Sequence, residues 1–177
     1  MTGPNVAIVD WSAASAPSPL APSADAVWIG ACGPDGTTTA YFRTRAEAER
    51  QLGALIAEGE WLVGFDFPMG YPDGFARRLT GQDSARAVWH WLDGQIEDGP
   101  ANRNNRFAVA AAINCQLGGR RGPGPFWGRP AKLDLPNLPA RKQVDYPALG
   151  LSERRRVEQV VRSAQPVWKL FTTGSVG

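Results

Sequence analysis

In the first third of the chain, apolar residues fall in short runs separated by Gly, Pro and Ser/Thr clusters. Asn5–Asp10 (N-V-A-I-V-D) is a β-branched run that predicts a buried strand ending on a carboxylate. Ser12–Asp25, rich in Ala, Ser and Pro, predicts a loop longer than a hairpin needs. Ala26–Gly33 predicts a second strand, P-D-G at Pro34–Gly36 a turn, and Thr37–Thr44 a third strand by its Thr and aromatic content. These three form an antiparallel meander. Thr44 and Glu47 have capping-box spacing, and Arg45–Glu58 follows with Leu52, Leu55 and Ile56 at helical intervals and Gly59 as a stop. Trp61–Phe67 is a fourth predicted strand. Because a helix leads into it, it can run parallel to the first strand and beside it.

Beyond Pro72 the pattern turns helical. Ser84–Glu97 and Asn104–Leu117 predict helices, the second rich in small residues. Gly118–Pro147 is a basic Pro/Gly-rich segment, too long for an ordinary connection. Ser152–Ala164 predicts a charged helix capped by Ser152, and Val167–Phe171 (V-W-K-L-F) a further strand before T-T-G-S-V-G. A strand followed by such a turn ordinarily leads into another element, so a C-terminally truncated chain is expected. The organisation expected is one domain over 1–177 with a helical, basic insertion at about 73–150.

Composition narrows the function classes. The 177 residues suffice for a sizeable core, and no apolar run reaches bilayer-spanning length, so no membrane association is expected. The N-terminal residues enter an apolar strand without a basic region, so no signal peptide is expected and a cytoplasmic location is. Cys32 and Cys115 are too few and too far apart for a disulfide scaffold or a cysteine zinc site. His90 is the only histidine, which excludes H-E-x-x-H chemistry; between two tryptophans it predicts an ordinary helix residue. Residues 1–100 hold 6 Lys+Arg against 13 Asp+Glu, and residues 101–177 hold 13 against 4. A basic half beside an acidic half suits a polyanion brought towards carboxylates, such as nucleic acid or another phosphorylated partner. Two halves facing one another is the plainer explanation.

The candidate chemistry lies in V-G-F-D-F-P-M-G-Y-P, Val63–Pro72. A carboxylate between two phenylalanines is costly to shield unless something pairs with it. If the first and fourth strands are parallel neighbours, Asp10 and Asp66 meet at one end of the sheet. Two like charges held that close raise one pKa unless a cation lies between them. Carboxylate pairs suit Mg²⁺ or Mn²⁺, and such ions assist phosphodiester displacement.

V-A-I-V-D-W-S-A, V-G-F-D-F-P-M-G-Y-P, N-N-R-F and V-W-K-L-F-T-T-G-S-V-G together resemble the domain of unknown function 429 family, whose members are described as predicted nucleases of RNase H-like fold. The resemblance covers most of the chain. It implies a mixed β-sheet, a three-stranded antiparallel meander plus parallel strands, flanked by helices, with Asp10 and Asp66 as the acids of strands one and four. RNase H-like nucleases commonly use three or four carboxylates. Glu49, one turn before Leu52, is the candidate third metal ligand, with Glu153 and Glu158 as later alternatives.

The substrate-binding candidates are spread along the chain. Ser12 follows Asp10; Arg106 begins the small-residue helix; Trp127 and Arg129 lie in P-F-W-G-R-P and Lys169 in V-W-K-L-F; Thr172 and Thr173 open the final turn. Arg120, Arg121, Lys132, Arg141, Lys142, Arg154–Arg156 and Arg162 add positive charge for a phosphate backbone, and Phe126 or Trp127 a surface for stacking. Charge runs are also ordinary solvated faces, and loop aromatics ordinarily pin their loop to a core. Two other functions fit the same strand order or site: an actin-like nucleotide-binding domain using T-T-G-S, and a non-catalytic accessory protein of cofactor metabolism.

Overall fold

Thr44 and Glu47 close a reciprocal cap that sets where the first helix begins. In the computed structural model, which describes residues 5–119, 123–161 and 163–170, the Glu47 N–H donates to Thr44 Oγ1 at 3.2 Å and the Thr44 N–H donates to Glu47 Oε2 at 3.1 Å. Helix α1 then runs Arg45–Ala57. Upstream of it lie β1 (Asn5–Asp10), β2 (Val27–Gly33) and β3 (Gly36–Phe42), and β4 (Trp61–Phe65) follows. The sheet order is β3-β2-β1-β4, with antiparallel pairs except for β1 and β4, which are parallel with Val9 opposite Phe65. The expected meander and its parallel return are both present. The described chain is α/β, a four-stranded mixed sheet accompanied by helices. β3 stops short of Thr44 because Arg43 Nε turns to the Ser18 carbonyl at 2.8 Å and Thr44 enters the cap.

Side chains alternate across the sheet. Val9, Val27 and Ile29 are buried with Ala48 of α1, and Leu52, Leu55, Val63 and Phe65 pack around them. The opposite face, carrying Val6, Ile8 and Asp10 of β1, is open: Ile8 is 57 % and Leu62 65 % exposed. Gly64 belongs to that face, where a Cβ would lie 2.9 Å from Ile8 Cδ1, so a larger residue there would push the exposed Ile8 side chain aside.

A cluster around Arg45 holds the loop after β1. All five guanidinium N–H groups are used: Nε and Nη2 grip Asp98 at 2.5 and 2.6 Å, Nη1 donates to the Ser12 and Ala14 carbonyls at 2.9 and 2.8 Å, and Nη2 also donates to Asn102 O at 2.7 Å. Asn102 is 1 % exposed, adopts φ 66°, accepts from the Arg45 N–H at 2.8 Å, and donates to the Ala16 and Arg43 carbonyls. Asparagine tolerates that left-handed backbone better than most residues.

The chain divides into two compact units. One comprises the described residues up to Phe67 with Asp98–Asn104, and the other comprises Pro68–Glu97 and the described residues from Asn105 onward. The second unit contains α2 (Phe75–Thr80), α3 (Ala85–Asp93), α4 (Arg106–Leu117) and α5 (Arg156–Val160). Its core is aromatic: Tyr71, Phe75, Phe126, Tyr146 and Trp168 pack at ring separations of 4.5 to 6.1 Å. Between Pro123 and Pro147 the described residues form no helix or sheet strand, yet buried Asn114 pins this stretch. Asn114 Oδ1 accepts from the Phe126 N–H at 2.8 Å, while Nδ2 donates to the Phe126 and Asn137 carbonyls at 2.8 and 2.7 Å. Gly124 passes so close that a Cβ would lie 2.3 Å from Asn114 Cα.

Several expected elements differ. The helix expected over 84–97 ends at Asp93, because the Gln95 and Ile96 N–H groups both turn back to Leu92 O. The next helix starts at Arg106 rather than Asn104, since Asn105 spends its side chain on Glu97 N and Gln95 O. Of the helix expected over 152–164, only Arg156–Val160 forms. Ser152 does not cap it: its carbonyl accepts from Trp168 Nε1 at 3.1 Å, and the Arg155 N–H is capped by buried Glu158 at 2.7 Å. Residues 167–170 make no sheet strand. They form one parallel bridge, Trp127 with Lys169, beside fully buried Trp168; Phe171 lies outside the described residues. Among the described residues, no helix is long and apolar enough to cross a membrane.

Arg45→Ala leaves a carboxylate and three carbonyls without their donor. It should lower the unfolding free energy by about 3 kcal/mol in urea denaturation. Arg50→Ala, on the exposed side of α1, should change it by less than about 0.5 kcal/mol.

Candidate functional site

Parallel pairing of β1 and β4 brings the two acids together. The ladder runs to Val9 opposite Phe65, and the Asp66 N–H donates to Val9 O at 3.2 Å, so Asp10 and Asp66 are the next residues on neighbouring strands. The Trp11 N–H donates to Asp66 Oδ1 at 2.9 Å, fixing that carboxylate against the start of the β1–β2 loop. By alternation Asp10 shares the face of Val6 and Ile8, away from α1, and both acids are exposed.

The flanking phenylalanines form the base of the site. Trp11 packs edge-on against Phe65 and Phe67 at 6.2 and 6.3 Å, and the two phenylalanines lie 4.9 Å apart. Trp11 and Phe65 belong to the cluster on the α1 side of the sheet, behind the strand ends that carry the acids. Burial, then the hydrogen bond and charge of Asp66, push the Asp10 carboxyl above its ordinary value of 3.8.

The other candidates are placed as follows. Ser12 is buried, its hydroxyl donating to Asp25 O at 2.8 Å and accepting from the Ala14 N–H at 3.2 Å, which makes it a loop anchor. Glu49 is exposed on α1. Glu153 pairs with Lys142 at 2.7 Å, and buried Glu158 with Arg155 at 2.8 Å. Arg106 opens α4 with its guanidinium 4.6 Å from the Phe107 ring. Arg129 Nη1 donates to the carbonyls of its own loop, Leu133 O among them. Trp127 and Lys169 do come together, the ammonium 5.4 Å from the indole. His90 is exposed on α3, and Cys32 and Cys115 are free and exposed. Thr172 and Thr173 lie outside the described residues, as do Arg120, Arg121 and Arg162.

Sequence reasoning missed Arg45, Asp98, Asn102 and Trp11. A signal was available for Arg45: a cation in the first turn of a helix opposes the macrodipole, so it needs a partner of its own.

Among the described residues, no group of three or more His, Cys, Asp or Glu side chains gathers as a metal cage. Two carboxylates nonetheless fit Mg²⁺ or Mn²⁺. Mg²⁺ ordinarily binds through one or two carboxylates and keeps waters and substrate phosphate in its other positions. Asp66 Oδ1 accepts from the Trp11 backbone N–H. No family model, curated protein or solved structure matches the chain.

The raised Asp10 pKa gives a signed prediction. A carboxyl that binds its proton more tightly when folded adds stability below its unfolded pKa, and that stability is lost as pH rises through the folded value. Asp10→Asn removes the ionised group, so this variant should have a higher urea midpoint than wild type at pH 7. The difference should shrink as pH falls below about 4.

Proposed function

We propose that this chain is a divalent-metal-dependent phosphodiester hydrolase of RNase H-like type, with nucleic acid as its substrate class. The observation that carries this reading is the Asp10–Asp66 pair, set at the ends of adjacent parallel strands on the sheet face that α1 leaves open. Its resemblance in V-A-I-V-D and V-G-F-D-F-P-M-G to predicted nucleases points the same way, as does the basic C-terminal half.

Asp10 and Asp66 would hold Mg²⁺ or Mn²⁺. When bound, such an ion neutralises the pair and stabilises negative charge developing on a phosphoryl oxygen. The chain's own residues supply the rest. The Trp11 N–H orients Asp66, and the Trp11 ring packs edge-on against Phe65 and Phe67, which holds that N–H in place. Arg45 holds the Ser12 and Ala14 carbonyls so that Trp11 stays in register. The Asp66 charge favours the protonated form of Asp10.

The test is cleavage of a panel of DNA and RNA substrates in Mg²⁺ and in Mn²⁺. Asp10→Asn and Asp66→Asn should each reduce cleavage by at least about a hundredfold. Each should also weaken Mn²⁺ binding measured by calorimetry. Wild-type protein that cleaves none of the panel in either metal would overturn the reading. Saturable ATP binding in its place would favour the actin-like alternative.

A further inference from the structure

The second half of F-D-F-P-M-G-Y-P builds a cavity of its own, separate from Asp66. Residues 70–74 form one wall, and residues 83–85 with Val88 and Trp89 of α3 form the other, around about 170 Å³. The walls are held by the chain itself. Trp89 Nε1 donates to Met69 O at 2.9 Å, and Pro72 and Val88 are buried. The indole of Trp89 lines the cavity and is 47 % exposed. The cation–ring contacts among the described residues lie elsewhere, on Phe107, Tyr146 and Trp127.

The lining carries two carboxylates, Asp73 and Asp83, and no Lys or Arg. Asp83 is already engaged by Arg77 at 2.6 Å, whereas Asp73 makes no ion pair among the described residues. Ser84, at the N-cap of α3, makes no side-chain cap bond, so its oxygen remains available as an acceptor. The cavity thus brings together half-exposed Trp89, a carboxylate with no ion pair among the described residues, a hydroxyl and apolar walls of Pro72 and Val88. An ammonium group is attracted by both the ring face and the carboxylate, and its alkyl substituents suit the apolar walls. The volume is below that of drug-sized ligand sites, which suits a compact molecule.

We propose that this cavity binds a small alkylammonium ion, seated between Trp89 and Asp73. The probe is n-butylammonium, titrated into the ¹⁵N-labelled full chain at constant ionic strength while the Trp89 indole N–H resonance is followed. Neutral n-butanol and anionic butyrate are the matched controls. The ammonium should shift the resonance saturably, and Asp73→Asn should weaken binding about tenfold, with the indole resonance itself reporting that the variant is folded. Three outcomes would overturn the proposal. These are equal binding of n-butanol, binding of butyrate in place of the ammonium at the α3 N-terminus, and an affinity unchanged by Asp73→Asn.

Discussion

The hydrolase reading of this chain depends on β4 returning parallel to β1. That single pairing makes Asp10 and Asp66 neighbours, and it does so against their mutual repulsion. The magnitudes explain why the sheet prevails. Two charges about 4 Å apart repel by about 1 kcal/mol in water and about 4 kcal/mol near a protein surface. Each buried Val, Ile or Phe contributes about 1.5–3 kcal/mol, and Val9, Val27, Ile29 and Ala48 are buried together directly behind the pair. The core can therefore hold two carboxylates in a place they would not choose. An exposed pair held in that way is poised to lower its energy by taking up a proton or a cation.

Arg45 extends that constraint from the sheet to the loop beyond it. Its guanidinium joins the β1–β2 loop to the turn at Asp98–Asn104, and the loop in turn presents the Trp11 N–H to Asp66. A buried arginine with every donor satisfied contributes more through geometry than through net stability, since the desolvation cost consumes much of the Coulombic gain. The orientation of the Asp66 carboxylate is thus set by residues distant in sequence.

Local signals carried the first half of the fold. The β-branched run at Asn5–Asp10, the P-D-G turn and the Thr44/Glu47 box each act within a few residues, and their elements formed where the sequence indicated. The second half is governed by partners the sequence does not announce. The V-W-K-L-F run was legible as a strand by composition, but Trp168 is drawn into an aromatic core with Tyr71, Phe75, Phe126 and Tyr146. Ser152 was legible as a cap, but its carbonyl serves Trp168 instead. α2 is only six residues between two left-handed glycines, too short to show a period. Of the site, the acid pair was legible from the order of elements. Trp11 was not, because its role rests on a backbone N–H, which carries no residue-type signature; Arg45 showed only as a cation in the first turn of a helix, with its partners unannounced.

The central claim is that Asp66, set beside Asp10 by the parallel pairing, helps hold the Asp10 carboxyl above its ordinary value. It is tested most directly by ¹³C-carboxyl NMR of the aspartates, followed against pH in wild-type protein and in Asp66→Asn. The account predicts an Asp10 midpoint above the ordinary value of 3.8 in the wild type, moving down towards it when Asp66 is replaced. An Asp10 midpoint at the ordinary value, indifferent to Asp66→Asn, would contradict it.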